Sequence, residues 1–270
     1  SCQQASRCAD SRYLLNAEIF LGEFQETLER SDTLLRDALT RDDAYTESTM
    51  RPTILYFAEL LRDSPDAAWA HAEAAQVRWK NTGFHGQHYW IECAKLEVLL
   101  YTGRWSEVLA HVQKEWVRLT MTKMAPFHEF ARIMVRHRLG RAALAAAAVS
   151  QNPAQQQRQL SVCQALAEKL ESEQALWGRA LGWHLRAGIG AQQTRGSATE
   201  TLSWIERART LCAEVGLSIH VASLDERAGA LLGGSVGAAR QQAAHAALKE
   251  RGVQAPMRLL RMMLPHPAHL

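Results

Sequence analysis

An all-α chain of repeated helical hairpins is what this sequence predicts, and three observations predict it. Apolar residues recur at three- and four-residue spacing in the stretches 21–39, 54–61, 91–101, 160–170, 202–211 and 257–264, the period of an amphipathic helix. Alternating β-type runs are nearly absent. A seven-residue pattern returns three times, as Gly22-Glu23-Phe24-Gln25-Glu26-Thr27-Leu28, Gly103-Arg104-Trp105-Ser106-Glu107-Val108-Leu109 and Gly196-Ser197-Ala198-Thr199-Glu200-Thr201-Leu202. Each copy reads as the turn of a hairpin. Glycine ends one helix by taking positive φ, and the third residue packs back into the hairpin. Glu suits the first turn of the next helix, and the last pair opens its buried stripe.

The elements follow in chain order. A first hairpin over 3–40 turns at Gly22, and a second over 44–81 turns at Asp63-Ser64-Pro65. The third, 86–120, turns at Gly103; the fourth, 125–172, divides at Asn152-Pro153. The fifth, 173–214, turns at Gly196 and the sixth, 216–251, at Gly234. Asp42 and Asp43 are placed to cap the helix that follows them. A final helix over 256–264 is ended by Pro265 and Pro267, and its Met257, Leu259, Leu260, Met263 and Leu264 are expected to cover the open end of hairpin six. Turns spaced by roughly 40 residues are the mark of a helical solenoid, here a right-handed superhelix of about six hairpins and a capping helix in one repeat domain.

Composition narrows the function classes. The 270 residues are 47% hydrophobic and 22% charged, enough for a sizeable core. A net charge of +3, with the first third acidic and the rest basic, is too mild for a nucleic-acid footprint. No apolar run approaches the roughly 18 residues of a membrane span, and Ser1 to Asp10 has no signal-peptide core. The chain does not begin with Met, which reads as a fragment or a processed product. The 5 scattered cysteines suit a reducing cytoplasm better than a disulfide framework.

The turn pattern, Gly-x-aromatic-x-Glu-x-Leu after an apolar helix, resembles that of tetratricopeptide repeats, although the period is longer. Three further patches, Gly83-Phe84-His85-Gly86-Gln87-His88-Tyr89-Trp90, the Gly103 turn, and Leu248-Lys249-Glu250-Arg251-Gly252-Val253-Gln254-Ala255-Pro256-Met257-Arg258-Leu259, resemble the C-terminal repeat region of large bacterial serine/threonine protein kinases. In that family a kinase domain and an ATPase module precede such repeats. The resemblance implies that this chain is the sensory or docking end of a signalling protein. It has no Gly-x-x-x-x-Gly-Lys-(Ser/Thr) loop, no His-Arg-Asp and no Asp-Phe-Gly, so no catalysis and no cofactor are expected of it.

In tetratricopeptide-like solenoids the first helix of each hairpin lines the concave face. Counting back from the turns places Arg12 and Asn16, Met50 and Phe57, Trp90 and Glu97, and Trp183 and Arg186 on that groove. Longer helices would shift this register and bury the aromatics instead. Arg132 and Arg136 share one face of a basic run, and Arg138 and Arg141 share another. That run is either a solvated face or a strip that holds an acidic peptide or small anionic effector. His85, His88 and Cys93 lack the paired spacing of a zinc site and are read as structural, so no metal is expected. The expected activity is binding: a protein, a peptide or a compact effector in the groove, its occupancy relayed to attached domains. A buried pocket of aromatic and arginine side chains between hairpins three and five would favour the compact effector. An open groove would favour a protein partner, and an exposed apolar end a self-assembly arm.

Overall fold

The computed structural model describes residues 18–19, 21–80, 83, 85–115, 129–193 and 197–269. No strand occurs among the described residues. Helix α1 is Phe24–Thr40. Helix α2 is one rod in three parts: Ala44–Met50, a π-helical turn Arg51–Leu55, and Tyr56–Leu61. Then come α3 (Pro65–Arg78), α4 (Gly86–Tyr101), α5 (Trp105–Lys114), α6 (Glu129–Val149) and α7 (Pro153–Glu171). The chain continues through α8 (Leu176–Gln192), α9 (Ala198–Glu214), α10 (Ser218–Leu232), α11 (Gly234–Glu250) and α12 (Pro256–Met263). Successive helices pack on one another, the arrangement of a helical solenoid. None of the described helices is long and apolar enough to cross a membrane.

The turns share one device. After Gly22, Asp63 and Gly103, all at positive φ, the next amide reaches back five residues: Glu23 to the Glu18 carbonyl at 2.9 Å, Ser64 to Glu59 at 2.8 Å, Arg104 to Leu99 at 3.0 Å. This satisfies carbonyls left open at a helix end. Asp43 caps α2, accepting from the Thr46 amide at 3.0 Å and its hydroxyl at 2.7 Å. Asp42 does something else. It takes positive φ at the turn, and its carboxylate pairs with Arg78. Asn152 accepts from the Ala154 amide at 2.9 Å, with Pro153 at the first helical position, where no amide is needed. Gly196 lies outside the described residues.

In the repeated heptapeptide Phe24 and Trp105 are buried, and the Trp105 indole donates to the Leu100 carbonyl at 3.0 Å. Ala198 departs from the expectation and is exposed, because a methyl group is too short to reach back into the hairpin.

The helices fall into two layers. Helix α6 buries 16 of its 21 residues, whereas its partner α7 buries 4 of 19. A helix buried on nearly every face has neighbours on both sides; one with a single buried stripe lies outside. The even-numbered helices α2 to α10 therefore form the inner layer and the odd-numbered helices the outer one.

Two features narrow the concave side. The first and last hairpins meet: the Arg251 guanidinium reaches the Leu21 carbonyl at 3.5 Å, and a Cβ on Gly22 would lie 2.3 Å from Arg251 and Ser218. Glycine is favoured there by its positive φ, and a Cβ would also force the two side chains to shift. In addition, α12 packs on both helices of hairpin six, α10 and α11, and on α4 as well. It runs inside the ring against α4 and α10, with Leu259, Leu260, Met262 and Met263 buried. The Gln254 amide donates to the Leu61 carbonyl at 2.9 Å, and Arg258 pairs with Asp63 at 2.9 Å. Deleting 254–270 should thus loosen the whole inner layer. Hydrogen exchange should lose protection in α4 as well as α10, with aggregation by size-exclusion chromatography. A truncated monomer with unchanged circular dichroism would contradict this placement.

Candidate functional site

The inner helices converge on a cavity of about 60 Å³ at the axis of the ring. Helix α2 contributes Thr53, Tyr56 and Phe57, and α4 contributes Trp90 and Glu97. Helix α6 adds Met134, His137, Arg138 and Arg141, α10 adds Ile219 and His220, and α12 adds Met262 and Met263. Position follows from local sequence in each case. Pro52 has no amide hydrogen to donate, and the π turn containing it widens the helix just before Tyr56 and Phe57. Phe57 packs on Phe24 and Tyr56, with ring centroids 6.4 and 6.2 Å apart.

The charged centre is Glu97. Its carboxylate accepts from Arg138 Nε at 3.1 Å and Arg141 Nη1 at 2.9 Å, and a second short contact joins it to Arg141 Nη2. Arg138 also donates to the Tyr89 hydroxyl at 3.0 Å and lies 5.8 Å from the Trp90 ring centroid. Arg141 Nη1 reaches the Met262 carbonyl at 3.3 Å, which ties α12 to the centre. Burial pushes the Glu97 carboxyl up, but the two guanidiniums outweigh it and hold its pKa below the ordinary value. Burial raises the pKa of Tyr56 and Tyr89, and that of Cys93 to about 11, so all three are neutral at pH 7.

Beside this network stand three buried histidines from successive inner helices. His137, His184 and His220 have ring centroids 4.9 to 5.2 Å apart. Their protons can be assigned from the hydrogen bonds. The Ser223 hydroxyl gives its only hydrogen to the His220 carbonyl at 2.8 Å, so at 3.0 Å it accepts from His184 Nε2. His184 Nδ1 is then bare, and at 3.2 Å it accepts from His137 Nε2. Burial first depresses all three imidazoles, His220 to about 3; the Arg141 charge comes next for His137 and His220, and follows His220 for His184. Two buried side-chain nitrogens here have no partner: Arg141 Nε and His220 Nδ1.

Of the expected groove residues, Phe57, Trp90 and Glu97 line this cavity. Glu97 does so as the counter-ion of two arginines, not as a groove acid free to meet a partner. Met50 is buried in the core and does not line it. Arg132 and Arg136 both pair with Glu173 at the edge of α6, where the carboxylate is a nearer counter-ion than any ligand. Trp183 and Arg186 form a separate stack, with Arg186 between Trp183 and Trp204 at 5.3 and 6.0 Å and bonded to Glu171. Arg12 and Asn16 lie outside the described residues. The other half of the basic run, Arg138 and Arg141, is the half that reaches the centre. Reading the register of the three histidines together, rather than one groove per hairpin, would have pointed to it.

His85 and His88 sit at the start of α4, where the His88 ring accepts from the His85 amide at 3.1 Å. Phe84 lies outside the described residues. Among the described residues no group of three His, Cys, Asp or Glu could hold a metal ion. Cys93, Cys163 and Cys212 are free and buried.

No protein-family model, no curated protein and no solved structure matches this chain. The family reading therefore rests on the turn heptapeptides and the patches quoted above.

Proposed function

We propose that this chain is an effector-binding module of tetratricopeptide type that relays occupancy of its axial cavity to attached bacterial signalling domains of the kinase and ATPase class. One observation carries the preference for a compact effector over a protein partner. The concave side is filled by the chain's own α12, and what stays open is a small cavity walled by aromatic and arginine side chains. A peptide in that place would have to displace α12 and the contacts of Gln254, Arg258 and Met262. A compact ligand needs only the cavity. It would touch α2, α4, α6, α10 and α12 together, so its binding energy would favour the closed ring over any opened state. That differential affinity is the means of relay.

The test uses the full chain and the Trp90→Ala variant, screened by thermal shift against compounds of at most about six non-hydrogen atoms. Trp90 is half-buried and packs against Tyr89, with ring centroids 4.6 Å apart. Truncation is expected to cost about 2 kcal/mol or more of effector affinity. The stability cost should stay below the roughly 3–5 kcal/mol of a fully buried tryptophan. If no compound stabilises the chain, or if stabilisation survives Trp90→Ala, the axial cavity is not an effector site.

A further inference from the structure

We propose that the axial cavity takes a compact oxyanion beside Arg141 and His220; the proposal rests on the effector reading above. Charge is the first argument. Arg138 and Arg141 line the cavity with Glu97 as the one carboxylate among its described lining residues, so those residues together carry a net charge of +1. A surplus charge at this depth is costly unless something neutralises it. The histidines do not add to it, since each is neutral at pH 7.

The second argument is independent of charge. Arg141 and His220 are 2% and 4% exposed, and the two unpartnered nitrogens belong to them. Buried polar groups almost always have a partner, so two unmatched nitrogens on residues that line one cavity point to an absent acceptor. Both groups donate. Arg141 Nε has no other chemistry, and His220 donates from Nδ1 in one of its neutral tautomers. An acceptor that takes two donors and carries a negative charge is an oxyanion, whether carboxylate or phosphate. A cation is the wrong occupant, because Arg141 repels charge on all three imidazoles and Glu97 is already engaged by two guanidiniums.

Size sets the class. At about 10–15 Å³ per water-sized probe the cavity holds on the order of four to six non-hydrogen atoms, the size of a two- or three-carbon carboxylate or of phosphate. Trp90, Tyr56 and Phe57 supply an apolar wall for a short carbon chain, which favours the carboxylate.

The experiment is calorimetric titration of the full chain at pH 7 and fixed ionic strength with sodium acetate, sodium phosphate and acetamide. Acetate or phosphate should bind saturably, and whichever is tighter identifies the source of the oxyanion. Acetamide, the neutral isostere of acetate, should bind at least about 30-fold more weakly, the range of a charge-assisted hydrogen bond. Arg141→Gln should lose at least about 30-fold in affinity for the anion. Arg141 also bonds Glu97, so His220→Phe provides a second readout: it keeps the ring and the arginine pair and should lose about 10-fold. Acetamide binding as tightly as acetate would overturn the anion class while leaving the effector cavity standing. So would a neutral compound that binds in a Trp90-dependent way when neither anion binds. Anion binding undiminished in both variants belongs to the surface and overturns the site. If no compact compound of any charge binds, the effector reading falls with it.

Discussion

Lowering the pH from 7 to 5 is expected to cost this fold roughly 6 kcal/mol. His137, His184 and His220 carry the loss. All three have folded pKa values depressed by burial and by Arg141, His220 to about 3. The unfolded chain titrates near 6.5, so below that pH it binds protons that the folded chain refuses. Stability is therefore fully present above about 6.5 and is lost as pH falls toward the folded values. Over this interval each such histidine contributes about 2 kcal/mol. The groups acting on the three rings are Arg141, Arg138 and the rings themselves, with no carboxylate to offset them. Urea unfolding at pH 7, 6 and 5 measures the effect. His71, and His266 at about 4, are also depressed and add in the same direction, so a variant is needed to assign it. His184→Gln keeps a donor and an acceptor between His137 and Ser223 and should remove about 2 kcal/mol of the pH-dependent loss. A stability that is flat from pH 7 to 5 would show that the triad is not held neutral.

Replacing Glu97 by alanine should destabilise the fold by about 3–5 kcal/mol, the cost of stranding a buried charge. Two guanidiniums lose their shared acceptor at once, inside the ring and out of reach of water. Asp37, which pairs with Arg41 on the surface of α1, is the contrast. Asp37→Ala should cost less than about 1 kcal/mol, because exposed pairs are screened and entropically loose. The interaction can be isolated by a cycle: Arg141→Met in the Glu97→Gln background should destabilise less than Arg141→Met alone. Denaturant unfolding of the six proteins, wild type and the Glu97→Gln single variant included, decides the matter. If Glu97→Ala proves as mild as Asp37→Ala, the centre is solvated and the charge argument for an anion fails too.

Much of the architecture was legible because its signals are local. Helical periodicity, the positive-φ turns at Gly22 and Gly103, the cap at Asp43 and the turn at Asn152-Pro153 depend on neighbours within a few residues. Burial of Phe24 and Trp105 follows from the same short range, while Ala198 failed for want of side-chain length. Among the site residues, Phe57 and Trp90 were reached by counting from independent turns, and Glu97 by the same count with a different role.

Tertiary structure decided the rest. Arg132 and Arg136 could not be told from Arg138 and Arg141 by spacing, since both pairs are arginines on one helix. What separates them is Glu173 on one side and Glu97 on the other, each contributed by a different helix. The histidine cluster draws one residue from each of α6, α8 and α10 and exists only once those helices lie side by side. The place of α12 was equally hidden. Its apolar face shows that it must be buried, but whether it caps the end or fills the ring depends on whether hairpin one returns to hairpin six. Closure of that kind is the accumulated result of small rotations between successive hairpins. No single turn encodes it, because each fixes only its own pair of helices.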